Sequence, residues 1–439
     1  MPIGMSGTFR AEFMDWIVEL LVESKMVGAQ MGAAVRSGAG FDEARVVRAI
    51  RLLVDAEPVL GCRFVVDGMP RWERMVDLDN RITLEVMSSA DPASDAACYV
   101  AAGLDPREGP QVRAVILRGA DGDTLVLKTT HVALDGGGLK QLLYLLGRIY
   151  RALGDDPAYV PEPDPRPRSL ESIAKTASFM DRLKAVRFRR NFPRTDWSVP
   201  GIGGEGEPIY MADVIEPTDF GPLAAYGKTR GATVHDLLLA AYFRTLFAEL
   251  QPAPGAHTPV NMSADLRPWL PPDAVMPLAN LPATWAVMVT PVEGEDFAGT
   301  LARVVERTRA WKASDVGRTR AVESVLGEWL VRLFGMKTLR RHWRMITRAL
   351  EGTGYPSLTN IGEIDGTVLD FGEDAPIDDA YLFGPIGYPG GLIVTVSTFR
   401  RRLRLSVGID ARSTDVGLAR RVLDGLATEL RTIARAGSS

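Results

Sequence analysis

The segment His131-Val132-Ala133-Leu134-Asp135-Gly136-Gly137-Gly138 holds the residue types of proton transfer at a tight turn. Histidine is the one side chain whose ordinary pKa lets it accept and return a proton near neutral pH. Residues 124–131 read as a strand and 139–153 as a helix with an apolar face, so His131 stands where a strand gives way to a turn. Glycines there tolerate positive φ and let a substrate come close to the backbone. The bare spacing H-x-x-x-D-G also suits a buried histidine before an Asp-Gly turn, so its meaning depends on the elements around it.

The remaining histidines offer less. His235 falls in the first turn of an amphipathic helix, where capping or packing accounts for it. His257 lies in the loop QPAPGAHTP with nothing near it in sequence to pair with. His342 belongs to the basic stretch RLFGMKTLRRHWRMITR, in which Arg332, Lys337, Arg340, Arg341, Arg344 and Arg348 recur at helical spacing, with Leu333, Met336 and Ile346 left for packing. Such a face could dock an acidic carrier protein, the phosphates of coenzyme A or a membrane surface, and it could equally be a solvated helix face. FRRRLRL at 399–405 reads as a strand with alternating exposed arginines.

The elements that position His131 fall into two units. Residues 7–25 read as a helix, 30–36 as a strand, 42–55 as a helix and 62–66 as a strand. Strands over 112–117 and 124–131 are joined by the hairpin turn GADGD. The Pro-rich stretch GDDPAYVPEPDPRPR, 154–168, is the one clear linker, and it divides the chain into lobes 1–165 and 166–439. Beyond it, Thr233 caps a helix to Leu250, with Asp236 in the place of a capping-box acid. Strands follow near 258–262 and 283–290, then helices over 296–312 and 320–350. Strands at 357–361, 377–383, 392–399 and 403–409 precede a last helix from 414. Irregular alternation of strands and helices implies an α/β or α+β sandwich in each lobe.

The 439 residues exceed what one core usually holds, which also argues for two units. With 51 Lys and Arg against 55 Asp and Glu, the formal charge is -4, a poor match to general nucleic-acid binding. Two cysteines, Cys62 and Cys98, cannot build a disulfide framework, and with four histidines no metal-ligand spacing emerges. No apolar run approaches a membrane span, and no secretory signal is visible, so a reduced, cytoplasmic protein is expected.

In order along the chain, VRSGAGFDEARVVRAIRLLVDAEPVLGCRF, QVRAVILRGADGDTLVLKTTHVALDGGGLKQLL, VNMSADLRPWL with MPLANLPATW, SLTNIGEID and GLIVTVSTFRRRLRLSVGID resemble segments of the chloramphenicol-acetyltransferase-like superfamily. That superfamily comprises thioester-dependent acyltransferases, among them nonribosomal peptide synthetase condensation domains and stand-alone alcohol acyltransferases. The resemblance runs from about Gln30 to Ala436. It implies two similar α/β lobes in pseudo-dimeric arrangement, with His131 in a central tunnel reached from both faces.

The resemblance also assigns roles. His131 matches the general base that deprotonates an acceptor hydroxyl or amine. Asp135 matches an acidic residue that supports the turn through an arginine, and Arg267 is that arginine by position. Gly136 matches the motif glycine that leaves room for an acyl group. Thr130 stands where condensation domains carry a further histidine, which inclines the likeness toward the stand-alone branch. Asp370-Phe371-Gly372-Glu373-Asp374 matches only half of the DFGWG motif of plant-type acyltransferases. Asn360, Thr395 and Ser397 are polar residues in segments suited to oxyanion or substrate contact, or to structural hydrogen bonding, and Arg340 and Arg341 are candidates for donor binding.

The expected activity is acyl transfer from coenzyme A or a carrier protein, as co-substrate, to a small-molecule alcohol or amine, with no bound cofactor or metal. Two rivals stay open: an inactive recruitment module for a carrier protein, and a cyclase or lyase that uses His131 as base.

Overall fold

The computed structural model describes residues 7–164, 168–186, 195–204, 206–272, 274, 277–313, 316–349, 356–388 and 391–436. The chain opens with a short strand β1 (Thr8–Arg10) and helix α1 (Phe13–Glu23), so the helix expected over 7–25 starts later. Then come β2 (Gln30–Ser37), α2 (Glu43–Ala56), β3 (Cys62–Val65), β4 (Arg71–Arg74), α3 (Leu78–Arg81), β5 (Leu84–Ser88) and α4 (Pro92–Ala101). The hairpin β6 (Val112–Gly119) and β7 (Gly122–Thr130) leads into α5 (Gly136–Asp155). Gly122 takes a φ of 119° at the hairpin turn, where a side chain would also strike the Ser37 carbonyl.

Past the linker stand α6 (Glu171–Lys175), α7 (Phe179–Val186), β8 (Pro208–Ile215), α8 (Pro217–Thr229), α9 (Val234–Leu250), β9 (Pro259–Asp265) and β10 (Pro282–Met288). Helices α10 (Phe297–Ala313), α11 (Val316–Phe334) and α12 (Met336–Ala349) follow, and the chain closes with β11 (Ser357–Ile364), β12 (Ile377–Phe383), β13 (Ile393–Phe399), β14 (Arg402–Asp410) and α13 (Val416–Ala436). The single helix expected over 320–350 is therefore two, broken at Gly335, whose φ of 82° no continuous helix accepts.

Two larger sheets organise the molecule, in strand orders β12-β2-β7-β6-β5 and β10-β9-β11-β13-β14-β8, beside a small sheet β1-β4-β3. Strand β7 is buried along nearly its whole length because α2 and α5 cover one face of its sheet and α4 the other. A strand covered on both faces reads as the unbroken apolar run Leu125-Val126-Leu127 instead of an alternating one. Helices α8, α9, α10 and α13 pack over the second sheet around Leu239, Phe243, Leu405 and Leu423.

The division at residue 165 does not follow the sheets. Strand β12 pairs antiparallel with β2, from Ile377↔Ser37 to Phe383↔Gly32, and so completes the first sheet from the second half of the chain. The first core likewise takes in Val331, Met336, Leu369, Phe371 and Phe399. Sequence order could not show this exchange, because an edge strand pairs with whichever apolar edge the tertiary fold brings beside it. Among the described residues no helix is long and apolar enough to cross a membrane.

Candidate active site

The ladder of β7 against β2 ends at the pair Gln30↔Thr130, which leaves His131 one residue beyond the sheet. Its backbone N–H still bonds to the Ala29 carbonyl at 2.5 Å, so the turn starts from a fixed point. The side chain is half-buried, and ring Nδ1 lies 3.1 Å from the Leu134 carbonyl. A carbonyl can only accept, so Nδ1 carries the hydrogen and Nε2 presents its lone pair. Burial holds the ring below its ordinary pKa, against the opposing pull of the Leu134 carbonyl and the Asp135 charge. The group is therefore neutral near pH 7 and able to accept a proton.

Asp135 caps α5. One carboxylate oxygen accepts from Gly138 N at 2.7 Å, the other from Leu281 N at 2.8 Å. A carboxylate at a helix N-terminus also meets the positive end of the helix dipole. Arg267 Nη1 lies 2.9 Å from Asp135 Oδ1 and 2.9 Å from Asp265 Oδ1, so the structure brings the expected partners together and adds a second carboxylate. The guanidinium also donates to the carbonyls of Pro277 and Ala279, at 3.0 and 2.8 Å. Burial would lower the Arg267 pKa, but the two carboxylates raise it above the ordinary value. Burial raises that of Asp265.

The glycines of the turn serve this packing. A Cβ on Gly137 would collide with Arg267 and Asp265, and one on Gly136 would meet the Ile361 side chain at 2.9 Å. The space in front of Gly136 is thus filled by β11 of the other sheet. Lys140, one turn along α5, donates to the Ile361 carbonyl at 2.8 Å and ties the two sheets together there.

The other candidates scatter. Thr130 is fully buried, and its hydroxyl bonds to Gln111 Oε1 at 2.5 Å. Asn360 folds back to accept from Gly362 N at 2.9 Å, steadying a bulge in β11. Thr395 and Ser397 are buried on β13 toward β12. Leu382 N donates to Ser397 Oγ at 3.2 Å, and a Cβ at Gly384 would collide with the Thr395 hydroxyl. Phe371 of the half-matching motif packs against Phe41 and Tyr150 in the first core, so that segment braces the back of α5.

His235 follows the Thr233 cap of α9, and burial lowers its pKa to about 4. His257, expected to stand alone, bonds through Nδ1 to Asp196 at 2.9 Å, a partner 61 residues away. On α12, Arg341 and His342 are exposed, whereas Arg340 is half-buried and lies 3.7 Å from Glu23. Arg332 belongs to α11 and pairs with Glu328. Leu333, expected to pack, is 60% exposed, while Met336 is buried; the side chains of Ile346 and Arg348 lie outside the described residues. Arg400 and Arg401 form a turn with φ of 46° and 66°, so FRRRLRL is a hairpin. Within it Arg404 stacks on Tyr381 at 3.6 Å and is not free in solvent.

Sequence reasoning missed Asn280 and Arg168, both of which donate hydrogen bonds to the His131 turn. Asn280 lies inside the quoted segment MPLANLPATW, and Arg168 is the last residue of the linker, but neither position reveals what its side chain reaches.

No protein-family model matches the chain. An uncharacterized protein of Mycobacterium tuberculosis is 26% identical over 371 residues, 79% of this chain and 81% of that one. Among solved structures, the first condensation domain of the CDA synthetase superposes with a TM-score of 0.70 at 17% identity, over 99% of this chain and 98% of that one. The TRI3 trichothecene 15-O-acetyltransferase of Fusarium sporotrichioides gives a TM-score of 0.72 at 13% identity, over 97% and 95%.

Proposed function

The chain has the two-lobed fold of the chloramphenicol-acetyltransferase-like superfamily, and on that premise we propose that it is a thioester-dependent acyltransferase with His131 as general base. The observation that carries the reading is the bond from His131 Nδ1–H to the Leu134 carbonyl, which leaves Nε2 as the basic atom of a neutral ring. The donor is an acyl thioester of coenzyme A or of a carrier protein, and the acceptor a small-molecule alcohol or amine. The two meet in a tunnel between the lobes.

His131 Nε2 takes the proton from the acceptor as its oxygen or nitrogen attacks the thioester carbonyl. The tetrahedral intermediate then expels the thiolate, which recovers that proton from the imidazolium and leaves as the thiol. No covalent enzyme intermediate is required. Holding both substrates in line with one fixed base removes the entropic cost of their meeting. Asp135 and Arg267 act by keeping the turn in shape and do not relay the proton.

The test is mass spectrometry of acceptor mixtures incubated with a panel of acyl thioesters and either the native chain or His131→Ala. Acylated product that depends on His131 supports the reading. Equal product from a folded His131→Ala chain would overturn His131 as the base, and no acylated product from either chain would favour the recruitment role.

A further inference from the structure

The backbone carbonyls of residues 131–134 are all engaged, and three of them by side chains from outside the turn. Asn280 Nδ2 donates to His131 O at 3.0 Å and to Val132 O at 2.8 Å. Arg168 Nη2 donates to Ala133 O. The fourth carbonyl, of Leu134, receives the His131 ring itself. Both outside donors converge on one carboxylate of α1. Arg168 Nη1 lies 3.1 Å from Asp15 Oδ2, and Asn280 Nδ2 lies 3.4 Å from Asp15 Oδ1. Trp72 Nε1 also donates to Oδ2 at 2.9 Å, as does Glu12 N at 3.1 Å, and Asp15 is only 1% exposed.

We propose that Asp15, Arg168 and Asn280 are positioning residues that fix the tautomer and direction of the His131 ring. The ring is aimed by the Leu134 carbonyl, and that carbonyl's place depends on the peptides before it, which Asn280 and Arg168 hold. Asp15 in turn sets those two side chains. A buried ion pair that loses one member leaves the other uncompensated, so the clamp works as a unit. It draws on α1, on the residue where the linker ends and on the loop before β10, which makes the ring's orientation a product of several distant segments. Its catalytic consequence rests on the acyl-transfer reading; its structural claim does not.

The experiment uses the full chain labelled with ¹⁵N-histidine, the His131 signal being assigned by its loss in His131→Ala. The native ring should show the Nδ1–H tautomer. Asp15→Asn, nearly isosteric, should populate the other tautomer and lower kcat by ~10–100-fold, the scale of a small misplacement of a reacting group, with donor KM little changed. Should that variant fail to fold, Arg168→Lys carries the same test, because it keeps the buried charge balanced but cannot reach both Asp15 and the Ala133 carbonyl. A folded variant with an unaltered His131 tautomer would overturn the clamp, even if thermal stability dropped. A shifted tautomer in a chain whose activity ignores His131 would keep the clamp and sink the acyl-transfer reading instead.

Discussion

His131 and His257 each have a carboxylate close by, and they differ in almost every other respect. His257 bonds directly to Asp196, and the backbones answer in kind: Asp196 N donates to His257 O at 2.8 Å, and His257 N to Asp196 Oδ2 at 2.9 Å. Judged by the pair alone, this is the better dyad. Yet its histidine side chain is 46% exposed, and the three bonds do no more than staple two loops together. His131 bonds only to a carbonyl, is half-buried, and has its carboxylate turned away into a helix cap. At His131 burial favours the neutral base and outweighs the opposing pull of the Leu134 carbonyl and the Asp135 charge. A histidine's surroundings, more than its partner, decide what it can do.

The largest effect that separates the two regions is on turnover. His131→Ala is expected to lower kcat by ~10²–10⁴-fold while the fold survives, and His257→Ala to leave it unchanged. Steady-state rates on one thioester and acceptor pair, with circular dichroism of each variant, would decide between them. Loss of activity in the His257 variant would reverse the assignment.

Stability should separate the carboxylates next. Asp135→Ala leaves buried Arg267 with Asp265 as its remaining carboxylate and takes the acceptor from the Gly138 and Leu281 N–H groups, at ~2–5 kcal/mol, whereas Asp196→Ala at the surface costs ~0–1 kcal/mol. Urea unfolding monitored by tryptophan fluorescence measures both. An Asp135→Ala chain as stable as the native one would mean that the buried pair contributes nothing net.

The pH profile sharpens the contrast further. Because burial lowers the His131 pKa, the imidazole stays neutral, and active as a base, at pH values where an ordinary histidine of pKa 6.5 would already be protonated. The acid limb of kcat/KM should therefore have its midpoint below 6.5. A midpoint above that value would show a ring more open to solvent than the structure has it.

The smallest effect concerns the donor. With Arg340 already near Glu23, exposed Arg341 is the freer of the two charges for long-range attraction. Reversing both to Glu should raise donor KM modestly and leave acceptor KM alone, and added salt should erase the difference. Unchanged donor KM at low salt would reduce α12 to a solvated face.

Much of this was legible in local patterns. The periodicity around 139–153 announced α5, Thr233 with Asp236 announced the cap of α9, and GADGD announced the β6–β7 hairpin, because each depends on residues a few positions apart. Gly335 is a residue type that can end a helix, but a single glycine inside an amphipathic stretch does not by itself break the pattern. Asp196 with His257 was not readable at all, nor was the placement of β12 in the first sheet, since each joins segments tens to hundreds of residues apart.

The site divides along the same line. Sequence by itself determined that a histidine would stand at a strand end ahead of a glycine-rich turn and a helix, and the resemblance to known acyltransferases pointed to Arg267 as the partner of Asp135. Only the tertiary structure decided that Asp265 would share that arginine, that Ile361 would fill the space at Gly136, and that Asp15, Arg168 and Asn280 would close on the turn carbonyls. The physical reason is one of range. Strand, turn and cap are set by hydrogen bonds between near neighbours in the chain, whereas the direction of the His131 ring is set by buried donors and charges whose meeting depends on how both lobes pack.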